Sequence, residues 1–194
     1  ALLATAAEGA PHEPQIKSDR VEVVTFPSRD TASTPITGYY IPAKGDPPFS
    51  AVVATHGCSG LFKETSGKPS KKIVDWAHRL AAAGYAVLFP DSFGSRGLGS
   101  ICEIIPRPLK EIDRARDAEG AAAWLASRSD IDSDEIALLG WSNGGTTVLW
   151  AMDPERAEKR VPWLTAISFY PLCRDLLNTT RWKPRAPVTI LIGR

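Results

Sequence analysis

The sequence predicts an α/β fold: a mostly parallel sheet covered by helices on both faces and entered through an antiparallel hairpin. Three observations carry that expectation. Short apolar, largely β-branched runs alternate along the chain with stretches of helical period. The central runs are continuously apolar, as strands buried on both faces are. The first two runs are joined instead by a polar link bounded by proline, the pattern of a strand pair.

Residues 21–26 and 36–41 are those first two runs, with the polar link at 28–35. Residues 51–55 form a short apolar run ending at His56-Gly57, which predicts a central strand. Ile73, Trp76, Ala77 and Leu80 recur at helical spacing, so a helix is expected over 71–83, terminated by Gly84. A buried strand follows at 86–89. Over 113–127 a second helix is expected, with Ile112, Ala115, Ala118, Ala122 and Leu125 on one stripe and charges opposite. A strand at 136–139, a helix at 144–152, and strands at 166–170 and 188–192 complete the alternation. Trp76 and Trp124 lie on helix stripes and are assigned to core packing. The Pro-rich lead-in 11–14 divides the chain into an extension, 1–18, and one domain, 19–194.

Composition narrows the function classes. The chain has 194 residues, 43% hydrophobic and 23% charged, as expected of a folded domain. Lys and Arg number 23 against 22 Asp and Glu, and a net charge of +1 offers no footprint for nucleic acid or an anionic membrane. The longest apolar stretch, 80–89, is about half of the ~20 residues a spanning helix needs. Cys58, Cys102 and Cys173 contain no C-x-x-C pair, which argues against a disulfide scaffold and a structural zinc. The basic clusters at 68–72 and 156–160 read as solvated faces. The opening Ala1-Leu2-Leu3-Ala4-Thr5-Ala6-Ala7 fits the end of a signal peptide and equally an ordinary tail. A periplasmic or secreted protein is the first expectation, a cytoplasmic one the alternative. In the exported case one disulfide among the three cysteines is expected.

The segment that carries chemistry is Gly140-Trp141-Ser142-Asn143-Gly144, a G-x-S-x-G sequence directly after a buried strand and directly before a helix. Glycine on both sides lets strand and helix approach while the Ser142 hydroxyl stays exposed. The Asn143 N–H then sits at a helix N-terminus, where negative charge is favoured, and forms one half of an oxyanion hole. The other half is expected from the loop after the first central strand, His56-Gly57-Cys58, with Gly57 turning the backbone and Cys58 offering its N–H. For Trp141, shaping of the pocket and simple packing both stay open.

The chain resembles the α/β-hydrolase superfamily and, within it, the dienelactone hydrolase family. The resemblance rests on the His56-Gly57 loop, on Ala83-Gly84-Tyr85-Ala86-Val87 leading to Phe89-Pro90-Asp91-Ser92-Phe93-Gly94-Ser95-Arg96-Gly97, on Ala123-Trp124-Leu125, on the serine turn, and on Ile167-Ser168-Phe169-Tyr170-Pro171. It implies an α/β-hydrolase fold and a cofactor-independent hydrolase working through an acyl-enzyme. The family's namesake enzymes use cysteine where this chain has Ser142, which favours a generic small-molecule ester over dienelactone. Arg96 matches the arginine that holds a substrate carboxylate in those enzymes; a solvated loop arginine is the alternative. Asp91 is expected to fix its own loop.

A serine nucleophile needs a base oriented by an acid, and in this superfamily both follow the serine. No histidine follows Ser142; the three present are His12, His56 and His78. His78 is expected to face solvent. His56 is expected to shape the oxyanion loop, with service as the base as its alternative. Asp175 occupies an alternative acid position and is otherwise an ordinary loop aspartate. The expectation is therefore a domain lacking its C-terminal acid and histidine part. The competing readings are a peptidase or thioesterase of the same fold and a non-catalytic binding module.

Overall fold

Each apolar run becomes a strand of one sheet. The computed structural model describes residues 21–156, 161, 163–173 and 182–193. The extension 1–18 with its signal-peptide reading, His12 and Asp175 lie outside the described residues. The strands are β1 (Glu22–Pro27), β2 (Pro35–Ile41), β3 (Phe49–Thr55), β4 (Ala86–Pro90), β5 (Ile131–Trp141), β6 (Trp163–Phe169) and β7 (Val188–Leu191); the helices are α1 (Lys71–Ala82), α2 (Glu111–Ala126) and α3 (Asn143–Ala151). The sheet order is β1-β2-β4-β3-β5-β6-β7. β1 pairs antiparallel with β2 and β2 with β4, whereas β4, β3, β5, β6 and β7 are parallel to their neighbours.

Strand alternation sorts the core into two layers. Ala51, Val53, Ala86, Leu88, Ile136 and Leu138 face α2 and α3, packing with Ala118, Ala122, Leu125 and Val148. Val52, Ala54, Val87, Phe89, Leu139 and Trp141 face α1, meeting Ile73, Ala77 and Ala81. α1 starts where the Ser70 hydroxyl accepts the Ile73 N–H at 3.4 Å and ends before Gly84, whose φ of +88° suits glycine alone. In the hairpin link, Asp30 accepts from the Thr34 N–H at 2.9 Å and its hydroxyl at 2.6 Å.

Two expectations need correction. β5 begins at Ile131, five residues before its apolar run, because Ile131 already pairs with Phe49 through an irregular register. α2 is not a helix with its charges turned outward: Arg114, Asp117 and Glu119 are buried. The hairpin link covers that face, with the Arg29 N–H donating to the Arg116 carbonyl at 3.0 Å and the Pro27 carbonyl lying against Gly120. Cys58 and Cys102 are joined in a disulfide 44 residues apart in sequence, leaving Cys173 free.

Gly120→Ala separates propensity from packing. In an open helix it would stabilise by about 1 kcal/mol, whereas here the added carbon runs into the Pro27 carbonyl and overpacking should destabilise by roughly 1–3 kcal/mol. Urea denaturation reads the sign directly. Cys102→Ser should lower stability by roughly 2–4 kcal/mol, the range for a cross-link closing a loop of this size, measured in the same way against disulfide-bonded wild type.

Candidate active site

The whole reversal from β5 to α3 takes place at Ser142, which has φ 55° and ψ −118°. A non-glycine residue is held there only by its surroundings. The Ser142 N–H donates to the Phe169 carbonyl at 2.9 Å, and the Ser142 carbonyl accepts the Thr146 N–H at 2.9 Å. A Cβ on Gly144 would meet the Thr55 and His56 carbonyls, and one on Gly140 the Gly144 carbonyl and the Thr55 hydroxyl. That hydroxyl lies between the Leu139 and Gly144 carbonyls, 3.1 and 3.0 Å away, and pins β3 to both ends of the turn.

β3 delivers the His56-Gly57-Cys58 loop against this turn. A Cβ built on Gly57 would lie 3.7 Å from that of Ser142 and 3.4 Å from the Trp141 carbonyl. Neither the Cys58 nor the Asn143 amide N–H donates to any described residue. Beyond Gly57 the loop is tethered: the Cys58 carbonyl accepts the Ile101 N–H at 2.9 Å, beside the disulfide to Cys102.

Behind the turn lies a polar network that sequence reasoning missed. Arg114 of α2, 1% exposed, donates to the Asn143 side-chain oxygen and, at 2.6 Å, to the His56 carbonyl. The Asn143 amide group donates in turn to Glu111 at 2.6 Å, and Arg107 pairs with Glu111 at 2.9 Å. The guanidinium stands over the Phe93 ring, 4.8 Å from its centroid. Burial pushes the Arg114 pKa down to about 10 against the pull of Asp117, Glu111 and Asp91, so it stays charged at neutral pH. One signal was present: Arg114 stands four, seven and eleven residues before Ala118, Ala121 and Leu125, all of them buried.

The remaining candidates fall into place around this core. The Arg96 fork binds Asp117 at 2.8 and 2.9 Å, with the Ser92 carbonyl at 2.9 Å and Asp30 at 3.4 Å, so both of its terminal nitrogens have partners within the protein. Burial alone would lower its pKa, but Asp117 and Asp30 raise it. Trp141 is buried and packs against Trp76 and Phe169 under α1. The His56 side chain is fully buried, with Nδ1 2.8 Å from the Gly57 carbonyl, and can touch no substrate. Burial and the Arg114 charge hold its pKa well below the usual histidine range. Asp91 accepts the Gly94 N–H at 2.9 Å and fixes its own loop; burial raises its pKa. His78 is exposed on α1. Among the described residues, no three His, Cys, Asp or Glu side chains are grouped to hold a metal ion.

Comparison with known proteins places these features. Residues 74–160 match the family model of the prolyl oligopeptidase family. A Fusarium vanettenii protein described as dipeptidyl-aminopeptidase B is 35% identical over 101 residues, which is 49% of this chain and 11% of that one. The chain thus spans about a tenth of the length of the curated relatives it matches. Among solved structures, a Klebsiella pneumoniae protein described as a dienelactone hydrolase superposes with a TM-score of 0.55 at 19% identity, over 77% of this chain and 60% of that one. Porphyromonas gingivalis dipeptidyl peptidase 4 gives 0.61 at 16% identity, over 89% and 27%. A parallel sheet that reverses into a helix at one strained serine, with these likenesses beside it, gives the chain the α/β-hydrolase fold, similar to that of the dienelactone hydrolase structure.

Proposed function

We propose that the protein is a serine hydrolase that forms an acyl-enzyme on Ser142 and acts on small-molecule carboxylic esters. The observation that carries this reading is the Ser142 backbone at φ 55° between β5 and α3, with the undonated amides of Cys58 and Asn143 on either side. The Ser142 oxygen attacks the ester carbonyl, and the two N–H groups receive the charge that develops on the carbonyl oxygen. Collapse expels the alcohol, which takes up the proton lost by Ser142; water then attacks the acyl-enzyme and releases the acid.

The proton needs a base. No histidine follows Ser142 in the sequence, His78 lies exposed on α1, and His56 is sealed in the core with a depressed pKa. In this reading neither His56 nor His78 is that base. The Cys58–Cys102 disulfide supports a periplasmic or secreted setting, where such bonds persist. A second reading, hydrolysis of peptides, is favoured by the 35% identity to dipeptidyl-aminopeptidase B over 101 residues and by the match of residues 74–160, which include Ser142, to the prolyl oligopeptidase family.

The test uses the full-length gene product. Intact mass after exposure to a fluorophosphonate should show one adduct, absent from Ser142→Ala, and turnover of p-nitrophenyl esters should fall in that variant by roughly 10⁶-fold, the scale of losing the nucleophile. No adduct on wild type overturns the reading. Faster turnover of aminoacyl p-nitroanilides than of esters moves the assignment to a peptidase.

A pH measurement checks the structural role of His56. The unfolded chain takes a proton near pH 6.5 that the native protein refuses, so this contribution to stability is fully present above about 6.5 and is lost as pH falls below it. His56→Asn keeps an N–H for the Gly57 carbonyl but does not titrate. Between about pH 7.5 and about pH 5.5 wild type should therefore lose about 1.4 kcal/mol more stability than the variant, read from paired urea titrations. Equal losses in the two proteins would show that His56 ionises in the native state.

A further inference from the structure

We infer that Arg114 is a positioning residue that sets the two halves of the oxyanion hole relative to one another. The inference rests on the acyl-transfer reading of Ser142 and adds a group to it that touches neither substrate nor nucleophile. One planar guanidinium reaches two separate pieces of chain. It donates to the His56 carbonyl, on the peptide immediately before Gly57 and two residues before the Cys58 amide. It also donates to the side chain of Asn143, whose own backbone N–H is the second donor. β3 and α3 are thereby fixed to a common point on α2.

The guanidinium is itself held in place. Phe93 underlies it, and Glu111 grips the opposite end of the Asn143 side chain. Among the described residues no carboxylate lies within ion-pair distance of Arg114, and its Nε has no partner. A buried cation facing neutral oxygens is unfavourable for stability unless something else uses it. Its bonds go to the carriers of the two donors. A lysine has one ammonium in place of a fork and cannot hold both acceptors in the same geometry.

The experiment measures, in the full-length protein, the rate of Ser142 phosphonylation by a fluorophosphonate, whose phosphoryl oxygen occupies the same hole. The proteins are wild type, Arg114→Lys, Asn143→Ala and the double variant. Asn143→Ala keeps its backbone N–H and removes only the handle that Arg114 holds. Each single variant should react about 10- to 100-fold more slowly, as misplaced catalytic groups do. Ester turnover should lose kcat with KM within about twofold, since the hole serves the transition state and not ground-state binding. The double variant should be no slower than the slower single one, because both remove the same link. Thermal melts confirm that each variant is folded at the assay temperature. A wild-type rate in folded Arg114→Lys overturns the inference, as do losses that multiply in the double variant. Where Arg114→Lys does not fold, a wild-type rate in Asn143→Ala overturns it alone. A wild type that takes no label at all removes the acyl-transfer reading and this inference together, a result distinct from labelling at equal rates.

Discussion

At Gly140 and Gly144 two stretches of backbone come closer than any side chain permits, and the position of Ser142 follows from that approach. With hydrogen at both positions, the Gly144 carbonyl can lie against β5 and the Thr55 carbonyl against α3, so the chain must reverse in a single residue. That residue takes an unfavourable conformation costing about 1–3 kcal/mol. The Phe169 carbonyl and the Thr146 amide offset it from either side. The place of the turn follows from the sheet order. β3 leads outward to β4 on one side and β5 to β6 on the other, so the connections diverge at the carboxyl ends of β3 and β5. A crevice opens at such a point in a parallel sheet, and Ser142 and Gly57 meet there.

Two of the charges buried on α2, Asp117 and Arg114, have different consequences. Asp117 receives both prongs of Arg96, and Arg96 also reaches Asp30 in the hairpin link. This set pairs opposite charges and is bidentate at Asp117, and it joins three segments: the hairpin link, the turn after β4 and α2. Arg114 has no such match. Its acceptors are neutral, its charge persists, and it joins only the two segments that flank Ser142. The first set accounts for how α2 is covered. The second ties α2 to the two segments beside the serine turn.

The strands and helices were legible because continuous apolar runs and helical stripes are dictated by burial, which acts locally along the chain. Ser142 was legible because its conformation demands glycine at fixed offsets. The destinations of charged side chains were not, since a partner is chosen by tertiary approach. Nothing in the sequence near Arg96 reveals Asp117 twenty-one residues away, and resemblance directed Arg96 outward instead. Trp141 could have been read more closely: two residues after Leu139 on one strand, it must share that residue's face, toward α1. The pairing of Cys58 with Cys102 stayed open among three cysteines, because only the packing of the loop at 101–102 against Cys58 selects it.

The loop that carries Gly57 shows why the tethers matter. Hydrogen-bond donors accelerate a reaction only when they need no reorganisation as charge appears, so a loop bearing one must be rigid beforehand. Glycine makes the close approach to Ser142 possible, and the same freedom would let the next amide swing away. The chain restrains it from both sides. Upstream, the His56 carbonyl is held by Arg114 and the ring is wedged edge-on to Phe93, 4.5 Å between centroids. Downstream, Cys58 is bonded to Cys102 through sulfur and to Ile101 through its carbonyl. One tether is a buried cation and the other is covalent, so they fail under different conditions. The covalent one answers to redox state and the cation to the packing of α2, and only with both in place is the Cys58 amide fixed against the serine turn.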